Sequence, residues 1–285
     1  MSGSHLRELA PVLVLDLFPE ERAALLDLLA GLRGEEWGRP TACPGWSAKD
    51  VAAPLLGDDV GRLSRGRDGF AGAAFAPTGE GGFEAALLAF INRQNEAWVE
   101  ATRRLSPRLL IDLLRWGGEE TQRYFESLDL YALGEPVSWA GPQPAPVWLD
   151  IAREYTERWL HQQQIRDAVG RAGLKEPRFF APVLATFVRA LPHTFRRVKA
   201  PAGTQVKLVI SGASGGEWCI VRGEERWELQ EGGGPELAAV VVLDEEIAWR
   251  LFTKGISRDE AAAKCGYAGD RRLAAKLLDT VSIIA

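Results

Sequence analysis

Apolar residues recur every three or four positions along most of the first 175 residues, the spacing that lines one face of a helix. In "PEERAALLDLLAGL" (19–32) the leucines keep this spacing behind a proline and two acids, which predicts a helix with its start in place. "GGFEAALLAFINRQNEAWVEATRRL" (81–105) reads as a longer amphipathic helix, with Phe83, Leu87, Phe90, Ile91, Trp98 and Leu105 towards one side. "SPRLLIDLLRWGGEETQRYFESL" (106–128) opens on a Ser-Pro pair suited to the N-cap and first helical positions. "WLDIAREYTERWLHQQQIRDAVG" (148–170) is a further long helix, stopped at Gly170. Long helices separated by Gly- and Pro-rich connections, such as "EPVSWAGPQPAPVW" (135–148), predict a four-helix bundle.

One helix start breaks a rule. In "CPGWSAKDVAAPLLGDD" (43–59), Ser47 has N-cap chemistry, Asp50 follows three residues on, and Val51, Leu55 and Leu56 form an apolar stripe. Trp46 stands where it can staple onto Val51. Pro54 falls about two turns into the helix, where a proline removes a backbone donor and crowds the preceding turn at a cost of about 3 kcal/mol.

Beyond residue 175 the pattern shortens. "FFAPVLATFVRALPHTF" reads as a helix, and then "TQVKLVIS", "EWCIVRG", "RWELQE" and "AAVVVLD" are brief runs of β-branched and aromatic residues between Gly-rich turns. "EEIAWRLFTKG", "SRDEAAAKC" and "GDRRLAAKLLDTV" close the chain as helices. The expected architecture is therefore α+β in two domains: a helical bundle over 1–175, and over 176–285 a smaller α+β domain with a mostly antiparallel sheet.

Composition narrows the function classes. The 285 residues carry a formal net charge of −5, with 46% apolar and 26% charged residues, which fits a packed core and disfavours non-specific nucleic-acid binding. Cys43, Cys219 and Cys265 are far apart and form no CxxC pair, so reduced thiols are expected rather than a zinc knuckle or disulfide framework. Cys43 reads as buried and inert. No apolar run approaches the roughly 18 residues of a spanning helix, and no signal-peptide pattern opens the chain, so a cytoplasmic protein without a membrane segment is expected.

Few residues offer chemistry. Glu157 and His161, spaced i, i+4, emerge on one helix face and can grip a divalent ion together. A zinc site takes at least three protein ligands, and the other histidines, His5 and His193, stand in a tail and in another domain. Arg62 and Arg65, one turn apart, suit a carboxylate or phosphate, or pairing with Asp58, Asp59 or Asp68.

"PTACPGWSAKDVAA", followed much later by "REYTERWLHQQQIRDAVG", resembles the mycothiol-dependent maleylpyruvate isomerase family of DinB-like bundles. The C-terminal half, with "VISGASGGEWCIVRGEERWELQEG" and "WRLFTKGIS", is similar to the sterol-carrier-like domain that often follows such a bundle. The resemblance implies a divalent metal, zinc above all, and a low-molecular-weight thiol such as mycothiol. Glu157 and His161 match the family's second-helix ligands, and its first-helix histidine falls on Pro54. Three readings of Pro54 stay open: replacement of the ligand by Asp58 or Asp59, loss of the metal site, or a one-base change from a histidine codon. The resemblance thus implies a thiol-dependent isomerase or transferase with metal ligands Asp58, Glu157 and His161, and with Arg62 and Arg65 binding the cofactor or a carboxylate substrate. The alternative is a non-catalytic small-molecule binder that has lost the metal. A homodimer is compatible with either reading.

Overall fold

The computed structural model describes residues 7–70, 72, 82–234 and 236–283; His5 and the side chain of Phe83 lie outside them. Two compact units arise. Among the described residues, one holds Val14–Asp129 and Glu154–Leu174; the other holds 7–13, Leu130–Arg153 and 175–283. The sequence suggests one division at 175/176, whereas Leu130–Arg153 groups with the chain from Lys175.

The helical unit contains α1 (Phe18–Ala30), α2 (Ala48–Arg62), α3 (Gly82–Thr102), α4 (Pro107–Glu126) and all but the first turns of α5 (Val147–Val169). Its apolar core draws on Leu25 and Leu29 of α1, Val51 and Leu55 of α2, Leu110 and Leu114 of α4, and Ile165 and Val169 of α5. Trp46 and Trp98 pack against this core from its edge. Local chemistry fixes where the helices begin. Ser47 and Asp50 form a reciprocal capping box on α2, and Ser106 with Pro107 starts α4 as their residue types predict.

Helix α2 runs unbroken through Pro54, which is buried. The missing N–H leaves the Asp50 carbonyl without its regular i+4 donor. Next to it the Trp98 indole N–H donates to the Ala53 carbonyl at 2.8 Å. Gly57 makes that approach feasible, because a Cβ there would meet the indole nitrogen at 3.0 Å. The end of α2 widens into a π-helical turn, Leu63–Arg67, closed by the Asp68 N–H on the Leu63 carbonyl at 3.0 Å.

The second unit is built on a six-stranded sheet ordered β1-β4-β3-β2-β5-β6. Its strands are β1 (Arg7–Glu8), β2 (Gln205–Ser211), β3 (Gly216–Arg222), β4 (Trp227–Glu231), β5 (Ala239–Asp244) and β6 (Gly266–Gly269). Among the described residues only the β2–β5 pairing is parallel. Alternation places Val206, Leu208 and Ile210 of β2 and Ala239, Val241 and Leu243 of β5 in the core. Helices α6 (Pro177–Phe187), α7 (Leu191–Phe195), α8 (Glu245–Phe252), α9 (Arg258–Ala262) and α10 (Arg271–Leu277) complete the unit. Edge-to-face pairs, Phe187 with Phe252 and Phe195 with Trp227, tie these helices together and to the sheet. Where the sequence predicts one helix over 179–195, a 3-10 turn at Val188–Ala190 separates α6 from α7. Among the described residues no helix is long and apolar enough to cross a membrane.

Candidate functional site in the helical unit

Glu154 and Arg158 stand one turn apart on α5, so their side chains share a face. Both are buried, at 3% and 1% exposure, and Asp59 of α2 has no exposure at all. Arg158 Nη1 donates to Glu154 Oε2 at 2.6 Å, and its Nη2 donates to Asp59 Oδ1 at 2.8 Å. Arg22 of α1 reaches the same aspartate: Nη2 donates to Oδ1 at 3.1 Å, while Nη1 lies 2.8 Å from Oδ2 and donates to the Leu114 carbonyl. At the other end Arg62 donates through Nε and Nη2 to Glu154 Oε1, at 2.9 and 2.7 Å. The result is an unbroken ladder, Arg22–Asp59–Arg158–Glu154–Arg62, that stitches α1, α2, α4 and α5.

The ladder explains several neighbours. Arg158 also lies over the rings of Phe18 and Phe125, at 5.3 and 5.9 Å, which complete its surroundings with π-faces. Burial opposes its charge, yet the fields of Asp59 and Glu154 prevail and hold its pKa above the ordinary arginine value. Gly117 and Gly118 sit inside α4, where each costs about 1 kcal/mol against alanine. A Cβ on Gly117 would meet Asp59 Oδ2 at 2.9 Å, and one on Gly118 would meet Arg22 Nε at 2.9 Å. The two glycines make room for the buried ion pair.

Glu21 lies beside this ladder with no exposed surface. It accepts from Gln162 Nε2 at 2.8 Å, and its Oε2 has no hydrogen-bond partner among the described residues. Burial raises its pKa above the ordinary glutamate value, and the nearby Arg22 and Arg158 only partly offset that.

The residues singled out from the sequence fall in different places. Pro54 is buried in α2 and brings no donor atom. Asp58, Glu157 and His161 are each half-buried. His161 Nδ1 lies 2.9 Å from Gln164 Oε1; in the tautomer that donates this hydrogen bond, the lone pair is on Nε2. Burial keeps this imidazole below its ordinary pKa, with the Gln164 bond acting in the opposite sense. Among the described residues no three His, Cys, Asp or Glu side chains come together as a metal-holding group.

Several expectations change. Arg62, expected to meet a ligand or Asp58, Asp59 or Asp68, is bound to Glu154. Asp59, expected either as a replacement ligand or on a solvated face, is wholly buried between Arg22 and Arg158. Arg65 is exposed, and the adjacent Arg67 pairs with Asp68 and Glu120. Cys43 is half-buried, with its thiol pushed up by burial, so it carries no activated nucleophile. Sequence reading missed Arg22, Glu154 and Arg158. Two signals pointed to them: the Glu-x-x-x-Arg spacing of "EYTER", and a Gly-Gly pair inside an otherwise good helix.

The sequence model of the family described as "Mycothiol maleylpyruvate isomerase N-terminal domain" matches residues 18–166, just over half of the chain. The protein belongs to this family. Among solved structures, the mycothiol-dependent maleylpyruvate isomerase aligns at 12% identity with a TM-score of 0.51, covering 83% of this chain and 86% of that one. A histidine-to-alanine variant of that enzyme aligns over the same shares at 13% identity and a TM-score of 0.49. No curated protein matches. Membership of the maleylpyruvate isomerase family accounts for the helical unit, while the buried ladder is read from this chain alone.

Two outcomes test the site's construction. Gly117→Ala raises helix propensity, yet it should lower stability by about 1–3 kcal/mol in denaturant unfolding because the new methyl meets Asp59; a stabilised variant would contradict the geometry. Glu21→Gln tests the buried acid. With a raised native pKa, the folded state holds more protons than the unfolded state above pH 4.5, so ionisation erodes stability as pH rises through that window. Glutamine does not ionise, so the variant's stability relative to wild type should climb between pH 4.5 and 7, and a flat difference would contradict the assignment.

Proposed function

We propose that the protein is a maleylpyruvate-isomerase-family bundle that binds a low-molecular-weight thiol of the mycothiol class, or its conjugate, without holding a divalent metal. Family membership supports the thiol. The observation that carries the second half is the donor set. Position 54, where the family resemblance calls for a histidine, is a buried proline, and no three donor side chains converge among the described residues. The buried carboxylates of the bundle's ladder, Asp59 and Glu154, are each held by two arginines. A divalent cation brought near that ladder would face three guanidinium charges.

Without a metal, nothing in this donor set lowers the pKa of a bound thiol. A free thiol of pKa about 8.5 is only about 3% ionised at pH 7, which suits binding better than turnover. His161 Nε2 offers one acceptor to a ligand, and exposed Arg65 is the arginine of the 62–67 segment left for a ligand carboxylate. This is the role of a small-molecule binder rather than of an isomerase or transferase.

One observation favours a competing reading with zinc on Asp58, Glu157 and His161. The neutral His161, with Nδ1 engaged by Gln164 and a lone pair on Nε2, has the state of a prepared metal ligand. Metal content and calorimetric mycothiol binding, measured on wild type, Pro54→His and His161→Ala, separate the two. The proposal expects thiol binding by metal-free wild type, zinc far below one per chain, and a gain of zinc in Pro54→His. Stoichiometric zinc in wild type that disappears in His161→Ala would establish the competing reading. Absence of thiol binding with and without zinc would overturn both.

A further inference from the structure

The second unit carries a concentration of positive charge that the bundle's role does not use. A cleft of about 560 Å³ is lined by Arg197, Lys199, Arg258, Arg272 and Lys276, with Asp279 as its one carboxylate. Its volume lies within the range of small-molecule sites, roughly 300–1,000 Å³. The cations come from three places in the fold: the segment after α7, the first residue of α9, and α10. Convergence from separate elements distinguishes the cleft from a charged helix face in a chain whose net charge is −5.

The charges are unequally satisfied. Asp279 is shared: Arg258 Nε lies 2.8 Å from Oδ1 and Lys276 Nζ 3.2 Å from Oδ2. Arg272 Nη2 touches only the Lys199 carbonyl, at 3.5 Å, and Arg258 Nη2 donates to the Ala275 carbonyl at 3.2 Å. Arg197 and Lys199 form no ion pair with any described residue. Five cations against one carboxylate leave an excess of four positive charges around one concavity. Uncompensated like charges repel one another, and a multivalent anion relieves that repulsion while accepting from the arginine forks.

We propose that this cleft binds a small molecule bearing two or more phosphate groups. A single carboxylate leaves most of the charge unmet. A nucleic acid strand calls for a basic stripe along a surface, whereas these cations from three elements gather around one open cleft.

The test uses the full chain and inorganic tripolyphosphate, with ADP as a second probe, by calorimetry at low and moderate salt. Wild type should bind one equivalent, and the affinity should weaken as salt rises. Lys199→Ala, which removes an exposed cation without an ion pair, should weaken binding at least fivefold with an unchanged melting temperature measured without ligand. Asp279→Asn releases Arg258 and Lys276 and should tighten it. Opposite signs for two single-charge changes are not expected from a folding defect. Failure of both probes to bind would overturn the proposal. So would equal affinity in all three proteins, or tighter binding of a single-stranded oligonucleotide with several chains per strand. Thiol binding by the helical unit should be the same in both variants, so this test and that of the bundle's ligand fail separately.

Discussion

The pairing of Arg158 with Asp59 and Glu154 is the constraint around which the helical unit is arranged. A guanidinium with about 1% of its surface exposed cannot be left without partners, because an uncompensated buried charge costs several kcal/mol. Two carboxylates therefore come inward from α2 and α5, and each then needs a second cation, supplied by Arg22 and Arg62. The alternation of sign carries the requirement outward until Arg62, only partly buried, meets solvent. Gly117 and Gly118 follow from the same demand, since α4 must approach the Arg22–Asp59 pair closely. A polar ladder of this kind is specific rather than merely adhesive: a one-residue slip of α5 against α2 would bury several charges unpaired.

That arrangement bears on what the bundle does. In this family the resemblance places a metal ligand at position 54, and here a proline occupies it inside a continuous, buried helix. The buried carboxylates Asp59 and Glu154 are each already paired with two arginines. Glu157 and His161 are retained one turn apart, and burial holds the His161 imidazole below its ordinary pKa. Two donors on one helix make a weak site, so the chemistry of a metal-bound thiolate has no complete footing in the described residues.

Much of the fold was legible because local signals and global packing agree. Capping at Ser47 and Ser106 and the leucine spacing of α1 specify their helices. The runs around Val206, Ile220 and Val241 lie in the strands their composition predicts. Short edge strands were not legible. β6 is half glycine with all four residues exposed, and β1 has two residues, so neither carries an alternating pattern. The site was less readable for a related reason. Charged residues at helical spacing usually mark a solvated face, and only tertiary contact shows that Arg158 and Asp59 point inward. The family motif drew the eye to Glu157 and His161, while Glu154 and Arg158, each three residues earlier on the same helix, form the buried pair.

The central claim is that Asp59 and Arg158 are energetically coupled in the interior. A double-mutant cycle with Asp59→Leu and Arg158→Met, read by denaturant unfolding of chelator-treated protein, measures that coupling directly. Each single change should lose about 3–5 kcal/mol, because its partner is left buried and unpaired, and the double variant should recover at least about 2 kcal/mol relative to the sum. Losses that add to within about 0.5 kcal/mol would contradict the account.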